Sequence, residues 1–402
     1  MNAAATGTFT LNNTGANGIV WDGTITFQNA SNAVSLLSSS GGVTIPPTGS
    51  TPAILQSPGN ISIGTTGTPI AGDIVIEGIS TRAGQVLGVG TGNIDAHATG
   101  DVIIGNTTIL IGGAQGIESL NGDINLSAGG NLLLQSRSSA VSRIASTGAG
   151  NINISSIGGD LTLRGSTGTT FSSLIETDTG DIAISNIAGT LLISAGTFIS
   201  PMITPMRILS SSGTISISGP GNLSLVGGNG GGGNPFVDIT TASATPINID
   251  MGGSVSLLGG GSFTAASATA SILNGGGGGV VINAQDVTLT AGGGTQEHAE
   301  IVASTGDVNI TAENVSLDGG SGSGKAQITS GGGVNITTNN GGNLSMFGGT
   351  GALPFPDFIG AQIEATGAVN LQIAGSTTLQ GGSSTSTSAQ ITSDMSTVTL
   401  NT

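Results

Sequence analysis

The chain of 402 residues has no cysteine, no tyrosine and a single tryptophan, Trp21. Without cysteine it forms no disulfide, no thiolate nucleophile and no zinc–thiolate site. Basic residues are also scarce, because six Lys and Arg face 22 Asp and Glu, which gives a formal charge of −16. Nucleic acids and anionic membrane surfaces are bound by clustered basic side chains, so the sequence predicts neither as a partner.

Long apolar runs are missing as well. No run approaches the roughly 18 residues of a membrane-spanning helix, so no membrane insertion is expected in this segment. The start, MNAAATGTFTLNN, has neither the basic region nor the apolar region of a signal peptide. We expect a fragment of a longer protein, truncated at the C-terminus, whose targeting signals lie elsewhere.

Glycine and small aliphatic residues dominate what is present. Glycine occupies 73 positions, 36% of the chain is hydrophobic, 7% is charged and the mean hydropathy is +0.29. Disordered chains combine low hydrophobicity with high net charge, so this composition indicates a folded protein. Since the chain has only nine Phe, its core must consist of Val, Ile, Leu and Ala in thin layers.

Short hydrophobic segments repeat along the chain. The triplet AQI occurs at 326–328, 361–363 and 389–391, and related triplets extend the series backwards. From Ile19 to Ile391, 372 residues in twelve intervals give a mean repeat of 31 residues. The earliest isoleucines assigned to this series are Ile19, Ile54, Ile94 and Ile117.

Each repeat holds two further segments of the same kind. The second series runs from VII at 102–104 to VNL at 369–371, and the third from ILI at 109–111 to TTL at 377–379. Apolar residues two apart have the period of a β-strand, and no helical pattern lies between them. The sequence therefore predicts an all-β fold, a right-handed single-stranded parallel β-helix (β-solenoid). It has three short strands per coil and about 12–13 coils.

The repeat is kept less well near the N-terminus. Residues 1–53 retain strand-like alternation in poor register, so they are predicted to form irregular N-terminal coils or a cap. Residues 54–402 are predicted to form the β-helix shaft.

Period two also assigns the two faces of the second strands. Five apolar residues are predicted to point inward in register: Ile152, Ile182, Ile215, Ile247 and Val308. The residues between the apolar pairs are predicted to form an outward polar stripe: Asn125, Asn153, Ser216, Asn248, Asn309, Asn335 and Asn370. Stacked amides bond from coil to coil in cross-β assemblies. The alternative is that the stripe binds a ligand.

Polar residues also stand at the corners. The residue before the third strand is Asn, Asp, Ser or Thr in ten successive units, and such side chains bond local turn backbone. Before the second strand of four units stand Asp101, Asp123, Asn151 and Asp181. Because parallel strands stack about 4.8 Å apart, Asp101, Asp123 and Asp181 are weak candidates for a shared Ca²⁺ site. The alternative is a column of turn-forming residues, so no cofactor or metal is assigned.

Candidates for other chemistry are few. The segment EHAE, residues 297–300, could contribute to a metal site, and the alternative is a solvated loop. Polysaccharide-degrading β-helix enzymes need clustered acids, often with basic and aromatic side chains. Acidic pairs such as Asp160 with Glu176 leave that alternative open, but we expect no catalytic residues and no enzyme activity.

Insertions enlarge the third corner, most clearly at 227–236, 259–269 and 348–360. Loops on one side of a solenoid are where binding is usually built. Their phenylalanines are the candidates for partner binding: Phe236, Phe263, Phe355 and Phe358. The alternative is that these side chains cover the flank of the β-helix and shield its core.

The iterations GDINLSAGGNLLLQ, GNINISSIGGDLTLRG and GDVNITAENVSLDGG resemble the shaft of filamentous haemagglutinin-like adhesins and related type V secretion passengers. The resemblance covers roughly residues 94–400. It implies an exported fibre at the bacterial cell surface that acts in adhesion, with a host or surface receptor or sister chains as partners. The rival expectation is a self-assembling extracellular filament or sheath subunit whose identical chains associate end to end.

Overall fold

The computed structural model describes most of the chain and divides it into two compact units. The described residues are 2–3, 8–21, 24–27, 33–46, 53–77, 84–105, 111–136, 138–165, 172–198, 205–230, 236–261, 268–294, 297–350, 359–383 and 387–402. Unit one contains Met1–Thr190 and Arg207–Gly213, and unit two contains Leu191–Met206 and Thr214–Thr402. Within the described ranges, all regular secondary structure is β-strand. None of these ranges holds a helix long and apolar enough to cross a membrane.

Strands are numbered in chain order. Two of them, Thr190–Ser194 and Met206–Ser210, begin with a residue that is assigned to the other unit. Those of unit one are β1 (Asn2–Ala3), β2 (Thr8–Asn13), β3 (Ile19–Val20), β4 (Thr24–Phe27), β5 (Ala33–Ser38), β6 (Val43–Ile45), β7 (Ala53–Ser57), β8 (Ile61–Ile63), β9 (Ile74–Ile76), β10 (Gly84–Gly88), β11 (Ile94–Ala98), β12 (Val102–Gly105), β13 (Ile111–Ser119), β14 (Ile124–Ala128), β15 (Leu132–Gln135), β16 (Ser138–Ser146), β17 (Ile152–Ile157), β18 (Leu161–Arg164), β19 (Ser173–Thr177), β20 (Ile182–Ile187) and β23 (Met206–Ser210).

Three parallel sheets run through unit one, and each coil contributes one strand to each sheet. The first sheet has the order β1-β4-β7-β10-β13-β16-β19-β23. The second is β2-β5-β8-β11-β14-β17-β20, and the third is β3-β6-β9-β12-β15-β18. Every third strand along the chain is therefore a neighbour in space, which is the connectivity of a parallel β-helix.

Unit two repeats this arrangement. Its strands are β21 (Thr190–Ser194), β22 (Thr197–Phe198), β24 (Ile215–Gly219), β25 (Asn222–Val226), β26 (Asn229–Gly230), β27 (Val237–Thr241), β28 (Ile247–Met251), β29 (Val255–Leu258), β30 (Ala270–Asn274), β31 (Val280–Asn283), β32 (Asp286–Thr290), β33 (Ala299–Ala303), β34 (Val308–Ala312), β35 (Asn314–Asp318), β36 (Lys325–Ser330), β37 (Val334–Thr338), β38 (Leu344–Phe347), β39 (Ile359–Ala365), β40 (Val369–Gln372), β41 (Thr377–Gln380), β42 (Thr387–Ser393) and β43 (Val398–Asn401).

The sheets of unit two have the same order. The first is β27-β30-β33-β36-β39-β42, the second β24-β28-β31-β34-β37-β40-β43 and the third β21-β25-β29-β32-β35-β38-β41. A small two-stranded sheet pairs β22 with β26, which joins two enlarged third corners. The predicted parallel β-helix with three strands per coil is thus confirmed.

Inward and outward side chains alternate along the strands, as the period-two pattern predicts. In β17, Ile152 and Ile154 are fully buried while Asn153 between them is half-buried. Ile152 pairs with Ile182 thirty residues later, so the same side chains stack from coil to coil. All five predicted inward residues are 0% exposed. The core is therefore a narrow column of Ile, Val and Leu, and its inward assignment is confirmed.

The predicted register is wrong around residues 84–105. Ile94 lies in the second sheet, where it pairs with Ile124, and not in the first. The segment VII at 102–104 belongs to the third sheet. The place assigned to Ile94 is taken by Val86, the partner of Ile117. The strand around Val86 reads GQVLG, and its flanking glycines hide it from a search for paired bulky residues.

Smaller register corrections apply nearby. Leu55 and not Ile54 is the residue in register with Val86, and Ile19 lies in the third sheet. Of the segment ILI at 109–111, only Ile111 is described, and it begins β13 of the first sheet. Within residues 1–53, strands β1 to β6 pair in parallel with later strands. The domain boundary and the capping role given to this region stay predictions.

Candidate functional site

The corner before the third sheet carries a ladder of Asx side chains in unit one. The Oδ1 of Asp73 accepts a hydrogen bond from the backbone N–H of Asp101 at 2.8 Å. Asp101 in turn accepts from Asn131 at 2.7 Å, and Asn131 accepts from Asp160 at 2.9 Å. Asp160 accepts from Thr190 at 2.8 Å. Each side chain thus bonds the equivalent backbone position of the next coil.

The corner before the second sheet carries a second ladder of the same construction. Asn60 accepts from the N–H of Asn93, and Asn93 from that of Asp123, both at 3.0 Å. Asp123 accepts from Asn151, and Asn151 from Asp181, both at 2.8 Å. These side chains were expected to bond local turn backbone, and the structure corrects this. Their partners lie about thirty residues away, which is one coil.

The ladders place the three weak calcium candidates apart. Asp101 belongs to the corner before the third sheet, whereas Asp123 and Asp181 belong to the corner before the second. Asn151 stands between Asp123 and Asp181, so the two carboxylates are two strand spacings apart. Among the described residues, no three His, Asp or Glu side chains form a group able to hold a metal ion. Calcium binding stays an untested prediction.

Unit two has a corner ladder before its third sheet as well. Asn222 accepts from the N–H of Ser254 at 2.8 Å. Further along, Asn314 accepts from the N–H of Asn343 at 3.1 Å, and Asn343 from that of Ser376 at 2.8 Å. The side-chain acceptors of these ladders are all Asn or Asp, whereas Ser254 and Ser376 take part through their backbone N–H groups. This explains the residue types found there in the sequence.

The outward stripe of the second sheet forms two amide ladders. In unit two, Asn335 donates to Asn309 at 2.9 Å, and Asn370 donates to Asn335 at 2.9 Å. In unit one, Asn125 donates to Asp95 at 2.8 Å, and Asn153 donates to Asn125 at 2.9 Å. The prediction of outward amides that bond from coil to coil is confirmed for these residues.

The stripe is interrupted at its other predicted members. Ser216 and Asn248 are paired in neighbouring strands and exposed, and the Asn248 amide bonds only the carbonyl of Pro246, at 3.4 Å.

A charged column crosses the outer face of the first sheet of unit one. Arg143 donates to Glu118 of the preceding coil, with which it forms an ion pair. Burial lowers the pKa of Arg143, but the hydrogen bond to Glu118 and the charges of Glu118 and Glu176 outweigh it and raise the pKa overall. Burial raises the pKa of Glu176, against the opposing charges of Arg143 and Arg207. The column joins coils in the same direction as the Asx ladders.

The side chains of the EHAE segment form hydrogen bonds within their own corner and to the next coil. Glu297 is fully buried and its Oε2 accepts from the N–H of Gly294 at 2.6 Å. The Nδ1 of His298 accepts from the N–H of Lys325 at 3.1 Å, so the neutral ring carries its proton on Nε2. Burial, and then the charge of Lys325, lower the pKa of His298. Burial raises the pKa of Glu300, whose bond with Gln327 opposes the shift.

The other histidine and the aromatic loop residues are placed as follows. His97 lies in β11, its Nδ1 is 2.7 Å from the Ser127 hydroxyl, and burial lowers its pKa against the charge of Asp95. Phe236 is half-buried at the start of β27 and its carbonyl accepts from Met206 N–H at 3.1 Å. The other partner-binding candidates lie outside the described residues: Phe263, Phe355 and Phe358.

Comparisons with known proteins add no relative to this picture. No family model matches the chain, and no curated protein or solved structure matches it. The parallel β-helix is therefore established by the strand pairing itself. The likeness to haemagglutinin-like shafts extends to this fold, and any adhesive role is a proposal.

Proposed function

We propose that this chain is a structural shaft of an exported bacterial surface protein, acting in adhesion and in extension from the cell surface. Its partners under this proposal are a host or surface receptor, or sister chains. The proposal assigns the chain no catalytic activity and no cofactor.

One observation carries the proposal. Within each unit, side-chain hydrogen bonds link neighbouring coils along the stacking direction, in addition to the backbone hydrogen bonds of the sheets. Side-chain oxygens of one coil accept backbone N–H groups of the next at 2.7–3.1 Å in the corner ladders. Amide ladders add further bonds on the second sheet. These additional hydrogen bonds oppose the separation of neighbouring coils, and a stalk under tension requires such resistance.

Cell-surface labelling tests the proposal. Antibodies raised against the purified chain should label intact cells that express the whole protein, and deletion of its gene should reduce attachment to surfaces or host cells. Restoring the gene should restore attachment. Labelling that requires permeabilised cells would exclude export, and unchanged attachment of the deletion strain would exclude adhesion.

The alternative is a self-assembling extracellular filament or sheath subunit whose identical chains associate end to end. In β43, Val398 and Leu400 are 47% and 49% exposed. Their partners in β40, Val369 and Leu371, are 0% exposed. Val398 and Leu400 thus stand in core register, and an unpaired sheet edge accepts another strand unless it is blocked. Under this candidate the occupant is an identical chain.

Sedimentation and electron microscopy over a range of protein concentrations distinguish the two candidates. A filament subunit should assemble as its concentration rises, and Leu400→Asp should abolish assembly by placing a charge at the edge. Leu258→Asp is the matched control, because Leu258 is 40% exposed on the outer face of β29. A chain that stays monomeric at all concentrations contradicts the filament candidate.

A further inference from the structure

Unit two contains an open polar cleft of about 470 Å³ along its second corners. It lies where strands of the second sheet turn into strands of the third. Two carboxylates and four amides line it: Asp250, Glu313, Asn283, Gln285, Asn339 and Asn340. None of its lining residues is basic or aromatic.

Unequal corner lengths create this concavity. Corner lengths are counted from the paired core residues Ile249, Ile282, Ile310 and Ile336 of the second strands to the first inward residue of the third strands. The corners 283–286 and 311–314 then have four residues each. The corner 250–254 has five and the corner 337–343 has seven. The two short corners form a floor, and the longer ones form walls three strand spacings, roughly 14 Å, apart.

Backbone hydrogen bonds fix the floor and the longer wall. Gln285 N–H donates to the Gly253 carbonyl at 2.9 Å, and Glu313 N–H donates to the Gln285 carbonyl at 2.6 Å. Asn339 N–H donates to the Ala312 carbonyl at 2.9 Å. The shape of the cleft is therefore set by the backbone before any ligand arrives, which lowers the ordering cost of binding.

The wall residue Asn340 is held in place by its conformation and its side chain. It adopts a left-handed φ of 54°, followed by Gly341 with a φ of 75°. Its Nδ2 donates to Glu313 Oε1 at 3.0 Å, which orients this carboxylate and leaves Oε2 for another donor. One carboxylate of the cleft is thus positioned by the protein itself.

The remaining polar side chains of the cleft lack protein partners. Within the part of the chain that the structure describes, Asp250, Asn283, Gln285 and Asn339 form no side-chain hydrogen bond. Asn283 is the strand partner of Asp250. At another position of the second sheet in unit one, a paired Asp and Asn do bond each other, because Asn125 donates to Asp95 at 2.8 Å. Asp250 and Asn283 form no such bond, so their hydrogen-bonding groups are available in the cleft.

Charge and hydrogen-bonding capacity define the ligand that fits. Two carboxylates without a basic neighbour repel anions and attract cations, and the net charge of −16 adds to this attraction. Without an aromatic residue, no stacking surface is available for a neutral sugar ring. Affinity must therefore come from charge-assisted hydrogen bonds between the carboxylates and ammonium groups of the ligand. Hydroxyl groups of the ligand would form hydrogen bonds with the amides of the cleft.

We propose that this cleft binds a cationic oligosaccharide of amino sugars. Its ammonium groups pair with the carboxylates of Asp250 and Glu313. Its hydroxyls exchange hydrogen bonds with the amides of Asn283, Gln285 and Asn339. The site is local to unit two, so it stands whether or not the chain serves as a shaft.

Calorimetric titration of the whole chain with a glucosamine tetramer tests this site. We expect one saturable site per chain, and at least tenfold weaker binding of the neutral N-acetylglucosamine tetramer. Asp250→Asn should lower the affinity about five- to tenfold, because it replaces a hydrogen bond to a charged group by one to a neutral group, a difference of about 1 kcal/mol. Asp394→Asn removes the same charge from an exposed residue outside the cleft and should change the affinity less than twofold.

A second variant and a second probe keep the test decisive. Asn283→Ala leaves the charge unchanged and should also weaken binding, while circular dichroism confirms that each variant is folded. Equal weakening by Asp250→Asn and Asp394→Asn would overturn the site, because it would show diffuse attraction. Tetralysine binding as tightly as the glucosamine tetramer would assign the cleft to basic peptides instead. Absence of saturable binding would overturn the proposal outright.

Discussion

At the scale of single residues, an inward position between two isoleucine-bearing coils is expected to exclude a charged side chain. Ile215 is 0% exposed in β24. Ile215→Asp would bury an uncompensated carboxylate and should cost several kcal/mol, about 3–5 by analogy with broken buried pairs. Ser216→Asp is the matched control, because Ser216 is the next residue along the strand and its side chain is exposed. This substitution should change the free energy of unfolding by about 0.5 kcal/mol or less. Equal thermal unfolding of the two variants would contradict the inward assignment.

Glu300 gives a residue-scale prediction with a pH signature. Burial raises its folded-state pKa above the ordinary value of 4.5, against its bond with Gln327 and the charge of Lys325. The folded chain therefore holds this proton more tightly than the unfolded chain. Stability is lost as the pH rises from the unfolded to the folded pKa, and the loss is complete once the pH exceeds the folded pKa.

Glu300→Gln removes this ionisation and keeps an amide oxygen that accepts from Gln327. The variant should melt at a higher temperature than the parent at neutral pH, and its advantage should shrink as the pH falls below 4.5. Asp394→Asn controls for the change in net charge at an exposed site. A variant less stable than the parent by the same amount at both pH values would contradict the burial effect.

At the scale of elements, the amide ladders link neighbouring strands. Asn335 is the middle rung, since it donates to Asn309 and accepts from Asn370, each at 2.9 Å. Asn335→Ala removes both bonds and should destabilise the chain by about 1–2 kcal/mol. Hydrogen exchange of the amides in β34, β37 and β40 should accelerate locally.

Asn248→Ala is the control for this variant, because Asn248 is exposed and bonds only Pro246, at 3.4 Å. It should leave both stability and exchange nearly unchanged. Equal effects of the two substitutions would show that the ladder bonds add nothing beyond the strand pairing.

Strand identity could be predicted from the sequence wherever two bulky residues stand two apart. Segments such as INI at 152–154 give both the strand and its inward face. The pattern failed at GQVLG, where one valine between glycines occupies the first sheet. Because β11 and β12 were then counted one sheet too early, Asp101 was assigned to the wrong corner.

The ladders and the cleft were harder to predict for a different reason. A side chain at Asn131 looks the same in sequence whether it bonds its own turn or the next coil. Only the distance between Asp101 and Asn131 in space, 2.7 Å from Oδ1 to N, separates the two cases. The cleft depends on differences of one to three residues between successive corners, which have no meaning until the register of every coil is fixed.

At the scale of the whole molecule, exchanging one enlarged corner tests whether attachment depends on that loop or on the β-helix itself. The corner 348–358 has eleven residues between β38 and β39, whereas the corner 319–324 between β35 and β36 has six. Replacing residues 351–358 by Gly-Ser-Gly gives the longer corner the length of the shorter one. The far-ultraviolet circular dichroism of the β-sheets should be unchanged, because no strand is cut.

The same exchange distinguishes the two interpretations of Phe355 and Phe358. If the loop carries adhesion, attachment to host cells or surfaces should fall while the binding of a hydrophobic dye stays the same. If these side chains shield the core, dye binding should rise, because removing a cover exposes a contiguous apolar surface, and attachment should persist. An exchange of equal length that replaces 319–324 with an unrelated Gly-Ser sequence is the control. Loss of the β-sheet signal in the 351–358 variant alone would contradict both interpretations, since it would make the loop part of the fold.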